Sequence, residues 1–82
     1  MIGRIRSLVA EFAGANVDVA KLGDDGDLYR AGMTSHASVQ LMLGLEEAFD
    51  IEFPEELLNP DTFSSIAAIA RALDGLGVGV AS

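Results

Sequence analysis

Apolar residues recur at helical spacing in three separate segments of the chain, a pattern typical of amphipathic helices that each bury one face. The first segment spans residues 2–13, the second about residues 35–50, and the last follows Thr62 and Ser64, either of which can cap it. Their inward stripes are Ile2, Ile5, Leu8, Val9 and Phe12; Leu41, Met42, Leu45, Ala48 and Phe49; and Ile66, Ile69, Ala70 and Leu73. The sequence therefore predicts an all-α bundle of three to four helices, with a long loop between the first and second helices.

The segments between these helices carry turn signals. Gly14-Ala15-Asn16 supplies a stop signal for the first helix, and an irregular stretch rich in Gly and Asp then runs through Thr34, where Thr34 or Ser35 can cap the second helix. We expect apolar residues to pin this loop to the bundle, namely Val17, Val19, Leu22, Leu28 and Tyr29. Pro54 begins a short turn over residues 55–58 that Asn59-Pro60 closes. We predict one folded domain over residues 1–74 and a flexible, glycine-rich tail over residues 75–82.

The charge of the chain is strongly negative, because five Lys and Arg face thirteen Asp and Glu, for a formal net charge of -8. Such a surface repels phosphate backbones and anionic lipids, so we expect neither nucleic acid nor membrane as a partner. It attracts basic proteins, although the same charge also serves solubility. The chain has no cysteine, no convincing signal peptide and no membrane-spanning run, and we expect a monomeric, cytoplasmic protein.

Residues that could carry catalysis are scarce. His36 directly follows Ser35, so on a helix their side chains point about 100° apart and do not form a nucleophile and base pair. The acidic loop of residues 24–27 lacks the ligand order of a Ca²⁺ site and indicates a solvated turn. We therefore expect a protein without catalytic activity and without a metal.

Ser35 stands out because it lies where the second helix begins. A hydroxyl at this place is exposed, and the unsatisfied N–H groups and helix dipole favour an attached phosphate. Position alone leaves a structural cap as the alternative, since serine is a common N-cap residue.

Two stretches resemble the acyl carrier protein family: residues 27–36, which read Asp-Leu-Tyr-Arg-Ala-Gly-Met-Thr-Ser-His, and residues 46–54, which read Glu-Glu-Ala-Phe-Asp-Ile-Glu-Phe-Pro. The resemblance implies that Ser35, which alone follows Gly32-Met33 at the family's spacing, carries phosphopantetheine added from coenzyme A by a phosphopantetheinyl transferase. Ser38, a turn further on, falls on the inward side of the helix. The resemblance also implies that the outer face of the second helix contacts partner enzymes. The predicted contact residues are Thr34, His36, Val39, Gln40, Leu43, Glu46 and Glu47.

Thr34 and His36 flank Ser35 where the family commonly has Asp and Leu. Together with residues 27–29 and 37–44, they make the chain similar to stand-alone carriers of some soil bacteria, which truncated homologues of seryl-tRNA synthetases charge with an amino acid. The resemblance implies a carrier loaded by an amino acid:carrier protein ligase that delivers its cargo to a downstream acceptor enzyme. A carrier for fatty or polyketide acyl chains, filled by an acyl-loading enzyme, is one alternative. An unmodified acidic helical interaction module is another.

Overall fold

The computed structural model describes residues 2–13 and 17–77. Three α-helices, α1 (Ile2–Ala13), α2 (Ser35–Phe49) and α3 (Ile66–Gly75), are joined by segments that contain short 3₁₀ turns. These turns are Val19–Lys21, Glu55–Leu57 and Pro60–Phe63. Within the described residues there is no strand, which confirms the prediction of an all-α bundle with a long loop between its first two helices.

The core forms where the apolar stripes of the three helices meet. The side chains that are fully withdrawn from solvent are Ile5, Val9, Leu28, Leu41, Leu45, Ile66, Ile69 and Leu73. Burying each of these side chains stabilises the fold by roughly 1.5–3 kcal/mol before chain entropy is counted. The other predicted stripe residues are partly buried. Those that pack around this centre include Ile2, Phe12, Met42, Phe49 and Ala70. The predicted inward faces are therefore confirmed.

The long loop is held to α1 and to the core. The apolar residues predicted to attach the loop to the bundle lie in the core or against it: Val17, Val19, Leu22, Leu28 and Tyr29. The guanidinium of Arg6, on α1, donates hydrogen bonds to the carbonyl oxygens of Val19 at 2.6 Å and Leu22 at 2.7 Å. It also forms an ion pair with Asp24 at 2.6 Å. The stop signal at residues 14–16 lies outside the described residues.

The start of α3 differs from the prediction. Its N-cap is Ser65, whose hydroxyl oxygen accepts a hydrogen bond from the N–H of Ala68 at 3.0 Å, so the proposed caps Thr62 and Ser64 were wrong. Thr62 belongs instead to the turn Pro60–Phe63, which Asn59 caps by accepting from Thr62 N at 3.1 Å. The proline starts this extra turn and α3 begins after it, a separation that helical periodicity alone does not reveal.

The described chain ends just past α3, which continues through Gly75. The N–H of Leu76 donates to the carbonyl oxygens of Ala72 and Leu73 at 3.1 Å each, and the Leu76 side chain packs on the core. The first residues of the predicted tail are thus part of the helix end, whereas residues 78–82 lie outside the described residues. Over residues 2–13 and 17–77, none of the helices has the length and hydropathy that crossing a bilayer requires.

Candidate functional site

Ser35 is the first residue of α2, and its side chain is exposed. The cap of this helix is the preceding residue, Thr34, whose hydroxyl oxygen accepts a hydrogen bond from the N–H of Ala37 at 3.0 Å. The sequence predicted that either Thr34 or Ser35 caps the helix, and in the structure Thr34 is the N-cap. The hydroxyl of Ser35 is therefore not needed to begin the helix.

Asp27 begins the turn that leads towards α2. Its carboxylate accepts hydrogen bonds from the backbone N–H groups of Tyr29 at 3.0 Å and Arg30 at 3.3 Å, the bonding of an Asx turn. Asp24, nearby in the acidic loop, pairs with Arg6. The Asp27 carboxylate thus holds the backbone of the turn, and the Asp24 carboxylate holds the Arg6 side chain. The described part of the chain contains no group of three or more side chains able to hold a metal ion.

Leu28 anchors the same turn in the core. Its side chain is fully buried, its N–H donates to the carbonyl oxygen of Ser64 at 2.7 Å, and its own carbonyl accepts from Met33 N at 2.9 Å. Gly32, which lies between Leu28 and Met33 in sequence, has a φ of 125°, a backbone conformation that residues with a β-carbon rarely adopt. The path of the chain that leads to Ser35 thus depends on the segment before α3 as well as on α2 itself.

An open hollow of about 270 Å³ lies beside Ser35. The other residues that line it are Tyr29, Ser38, Val39, Met42, Leu58, Asn59, Pro60 and Phe63. Ser38 is partly buried, and its hydroxyl donates to the carbonyl oxygen of Ser35 at 2.7 Å, so it is already bonded within α2. An exposed hydroxyl at the positive end of a helix suits a phosphodiester, and the adjoining hollow leaves room for a flexible chain attached there. The residues present therefore fit a phosphopantetheine group.

The outer face of α2 has the exposure that the sequence predicted at five positions. His36, Val39, Gln40, Leu43 and Glu47 are all exposed, and Val39 and Leu43 keep 49% and 50% of their surfaces accessible. Thr34 is exposed too, although its hydroxyl is used in the cap. Contact between these residues and a partner enzyme stays a prediction.

Glu46 differs from its neighbours on this face because it is partly buried and bonded. Its carboxylate accepts a hydrogen bond from the backbone N–H of Phe53 at 2.9 Å. This contact arises because Asp50 adopts a left-handed conformation, with φ 53°, and the chain then turns back along α2. A helical wheel correctly places Glu46 on the outer face of α2, but it contains no information about the segment after Asp50, which folds back over Glu46.

Leu58 was missed by the sequence analysis as a site residue. It follows the turn Glu55–Leu57, keeps 49% of its surface exposed and lines the hollow beside Ser35. Leu57, by contrast, packs against the core. A pair of leucines in so short a turn was the available signal, because adjacent side chains point in different directions and a three-residue turn offers little surface to cover both.

The chain is similar to known proteins in sequence. The family model described as a phosphopantetheine attachment site matches residues 3–73. The aminoacyl carrier protein of Agrobacterium fabrum is 55% identical over 69 residues, which cover 84% of this chain and 83% of the relative.

The fold is similar to solved structures as well. In the crystal structure of an engineered Bradyrhizobium japonicum glycine:[carrier protein] ligase complexed with AMP and the carrier protein from Agrobacterium tumefaciens, the matching chain has a TM-score of 0.85 and 51% identity. The match covers 90% of this chain and 99% of that one. A second match, in the Bradyrhizobium japonicum ligase complexed with glycylated carrier protein, has a TM-score of 0.65 and 28% identity, covering 87% and 90%.

Proposed function

The chain belongs to the phosphopantetheine attachment-site family and is a homologue of aminoacyl carrier proteins, and from this premise we propose that Ser35 carries the phosphopantetheine arm and that the arm holds an amino acid as a thioester. The observation that carries the assignment is the placement of the Ser35 hydroxyl, which is exposed at the start of α2 and borders the hollow. Thr34 already caps the helix, so Ser35 is free to be modified without loss of the helix start.

Attachment is a phosphoryl transfer in which this chain supplies the nucleophile. The Ser35 oxygen forms a new bond to the phosphorus that bears the pantetheine chain of coenzyme A, and the bond to the second phosphate breaks. The nucleotide portion leaves, and the hydroxyl proton passes to a base of the phosphopantetheinyl transferase. His36, the next residue on α2, is about 100° around the helix axis from Ser35, and we assign it no catalytic step. We thus propose a carrier that is itself not an enzyme.

The cargo that we propose is a small amino acid, with glycine as the first candidate. The support is the similarity to carrier proteins solved with glycine:[carrier protein] ligases, one of them glycylated. The arm supplies a thiol, which this cysteine-free chain otherwise lacks. A downstream enzyme then accepts the amino acid from the thioester. We propose the cytoplasm as the place of this cycle, because the attachment step uses coenzyme A.

The outer face of α2 is the surface that we propose for docking. Val39 and Leu43 offer exposed aliphatic surface, and Glu47 adds a carboxylate beside them. Each exposed ion pair to a basic partner contributes no more than about 1 kcal/mol. Docking of this kind is weak and releases quickly, which suits a protein that visits several enzymes in turn.

The test is intact-mass analysis in two stages. In the first stage, incubation with coenzyme A and a broad-specificity transferase adds one phosphopantetheinyl group to the wild-type protein and to the matched control Ser38→Ala, but not to Ser35→Ala. Modification that survives Ser35→Ala overturns the site.

The second stage adds glycine, ATP and the engineered Bradyrhizobium ligase to the modified protein. We expect a glycyl thioester that hydroxylamine removes. If the modified protein is refused by this ligase and by ligases for other amino acids, yet accepts acyl chains from acyl-loading enzymes, the aminoacyl cargo is overturned.

A further inference from the structure

A groove of about 360 Å³ runs between α1 and α2. Leu8 and Phe12 of α1 line one side of it, and Gly44 and Ala48 of α2 line the other. Gly44 comes nine residues after Ser35, which places it about 180° around the α2 axis from that residue. The groove and the hollow beside Ser35 share no lining residue among those that the structure describes. A partner seated in the groove therefore lies on the opposite side of α2 from Ser35.

The apolar lining of the groove is accessible to a partner, since Leu8 and Phe12 are only partly buried. Because Gly44 has no side chain, the Phe12 ring occupies the space that a β-carbon at this position would need. An aromatic ring attracts a cation, and the aliphatic stem of a long basic side chain packs on apolar surface. This lining thus suits a side chain that combines an aliphatic stem with a positive head.

The groove also carries two exposed carboxylates, Glu11 on α1 and Glu47 on α2. Across residues 2–13 and 17–77, which the structure describes, neither of these side chains forms an ion pair. Two such carboxylates at one groove attract a cationic group of a partner and repel an anionic one. Charge complementarity therefore favours a basic occupant.

Arg4 also lines the groove, but its positive charge is already engaged away from Glu11. The two residues are seven positions apart on α1, or about 10 Å along the helix axis. The Arg4 guanidinium donates a hydrogen bond to the carbonyl oxygen of Ala48 at 2.8 Å and lies 4.8 Å from the centroid of the Phe49 ring. The basic end of the groove is thus at Ala48, and a second cation is accommodated at Glu11.

We infer that this groove is a second docking site, which receives an arginine side chain of a partner protein. The aliphatic stem of that arginine covers Leu8 and Phe12. Its guanidinium pairs with the carboxylates of Glu11 and Glu47. Arginine fits better than lysine, because a planar guanidinium bonds a carboxylate through two N–H groups and stacks on an aromatic ring. A partner held here leaves Ser35 accessible, so it stays bound while another enzyme acts at Ser35.

The test is an NMR titration of the unmodified, ¹⁵N-labelled protein with the blocked tripeptide acetyl-Leu-Arg-Leu-amide. We expect saturable shifts of the backbone amides of Phe12, Gly44 and Ala48, with a Kd in the millimolar range that ion pairing and a cation–π contact support. The same tripeptide with citrulline in place of arginine has the same shape but no charge. We expect its shifts at these amides not to saturate.

Two variants locate the charge that binds the tripeptide. Glu11→Gln raises its Kd about threefold or more, because one carboxylate of the groove is lost. Glu55→Gln is the matched control, since it removes an exposed carboxylate that does not line the groove, and it leaves Kd unchanged. Glu11 is varied rather than Glu47 because Glu47 also belongs to the outer face of α2. The ¹H–¹⁵N spectrum of each variant, matched to wild type away from the substitution, shows that the fold is intact.

Equal Kd values in Glu11→Gln and Glu55→Gln would show a general charge effect and overturn the site. Equal binding of the citrulline tripeptide overturns the arginine occupant. Separation from Ser35 is tested on the uptake of phosphopantetheine from coenzyme A, which we expect to be as fast in Glu11→Gln as in wild type; slower uptake overturns it. Because the titration uses unmodified protein, its outcome is independent of the proposed function, whose failure is seen as a wild-type mass that coenzyme A and transferase do not alter.

Discussion

The carboxylate of Glu46 accepts a hydrogen bond from the backbone N–H of Phe53 at 2.9 Å. The backbone carbonyl of Glu46 also accepts from Ile51 N at 3.0 Å, so this residue holds the chain that leaves α2 at two points. Phe53 is 3% exposed, and its ring packs edge-on against Phe63 at 5.3 Å between centroids. Glu46 therefore holds in place the segment that packs on Phe63, a residue that lines the hollow, whereas its neighbour Glu47 is exposed to solvent.

Glu46→Ala is expected to lower the free energy of unfolding by about 1–2 kcal/mol, because a part-buried N–H loses a charged acceptor. Glu46→Gln keeps an acceptor oxygen and recovers most of that loss. Glu47→Ala is the matched control and changes stability by less than about 0.5 kcal/mol. Urea unfolding measures all three, and equal losses for the two alanine variants would contradict this assignment.

Thr34 and Ser35 are expected to respond differently to alanine, although they are adjacent. Thr34→Ala removes the cap and lowers the free energy of unfolding by about 1 kcal/mol, whereas Thr34→Asp keeps an oxygen that caps the helix. Ser35→Ala leaves stability within about 0.5 kcal/mol of wild type. Thermal unfolding of the unmodified proteins distinguishes these cases. A larger loss in Ser35→Ala than in Thr34→Ala would mean that Ser35 is a structural residue.

Gly44 lies in the middle of α2, and a β-carbon added there would overlap the ring of Phe12. Gly→Ala in a helix interior normally stabilises by roughly 1 kcal/mol, but displacing the ring costs about 1–3 kcal/mol. Gly44→Ala is therefore expected to destabilise the wild-type protein and to stabilise the Phe12→Ala variant. A urea-based double-mutant cycle tests this reversal, and stabilisation in both backgrounds would refute the close packing.

Arg6 is expected to contribute more to the free energy of unfolding than its ion pair with Asp24 alone. Arg6→Ala removes two charged hydrogen bonds to the carbonyls of Val19 and Leu22, for an expected loss of about 2–3 kcal/mol. Asp24→Asn removes only the ion pair, whose Asp side chain is 51% exposed, and costs at most about 1 kcal/mol. Limited proteolysis is expected to cut the loop faster in Arg6→Ala alone. Similar losses of unfolding free energy in the two variants would indicate that the carbonyl contacts contribute little.

The parts predicted well from sequence are those governed by local regularity. Apolar spacing was sufficient for the bounds of α1 and the core face of α2, since a helix repeats the same angle at every residue. The cap of α3 was wrong because Asn59 and Pro60 start a turn of their own, and several hydroxyl residues in succession left the choice of Ser65 to backbone geometry. Leu58 was missed for a related reason, since spacing in a short turn does not say which of two leucines faces inward.

By itself, the sequence determined that the chain is helical and acidic, and that a serine follows Gly32-Met33 at the start of the second helix. These properties depend on residue type and on distance along the chain. Tertiary structure alone decided that Thr34 rather than Ser35 caps α2, that Glu46 is bonded to Phe53, and that Val39 and Leu58 share one hollow beside Ser35. Each of these depends on backbone dihedrals or on segments that approach one another after the chain turns back, and a periodic pattern records only the angle around one helix axis.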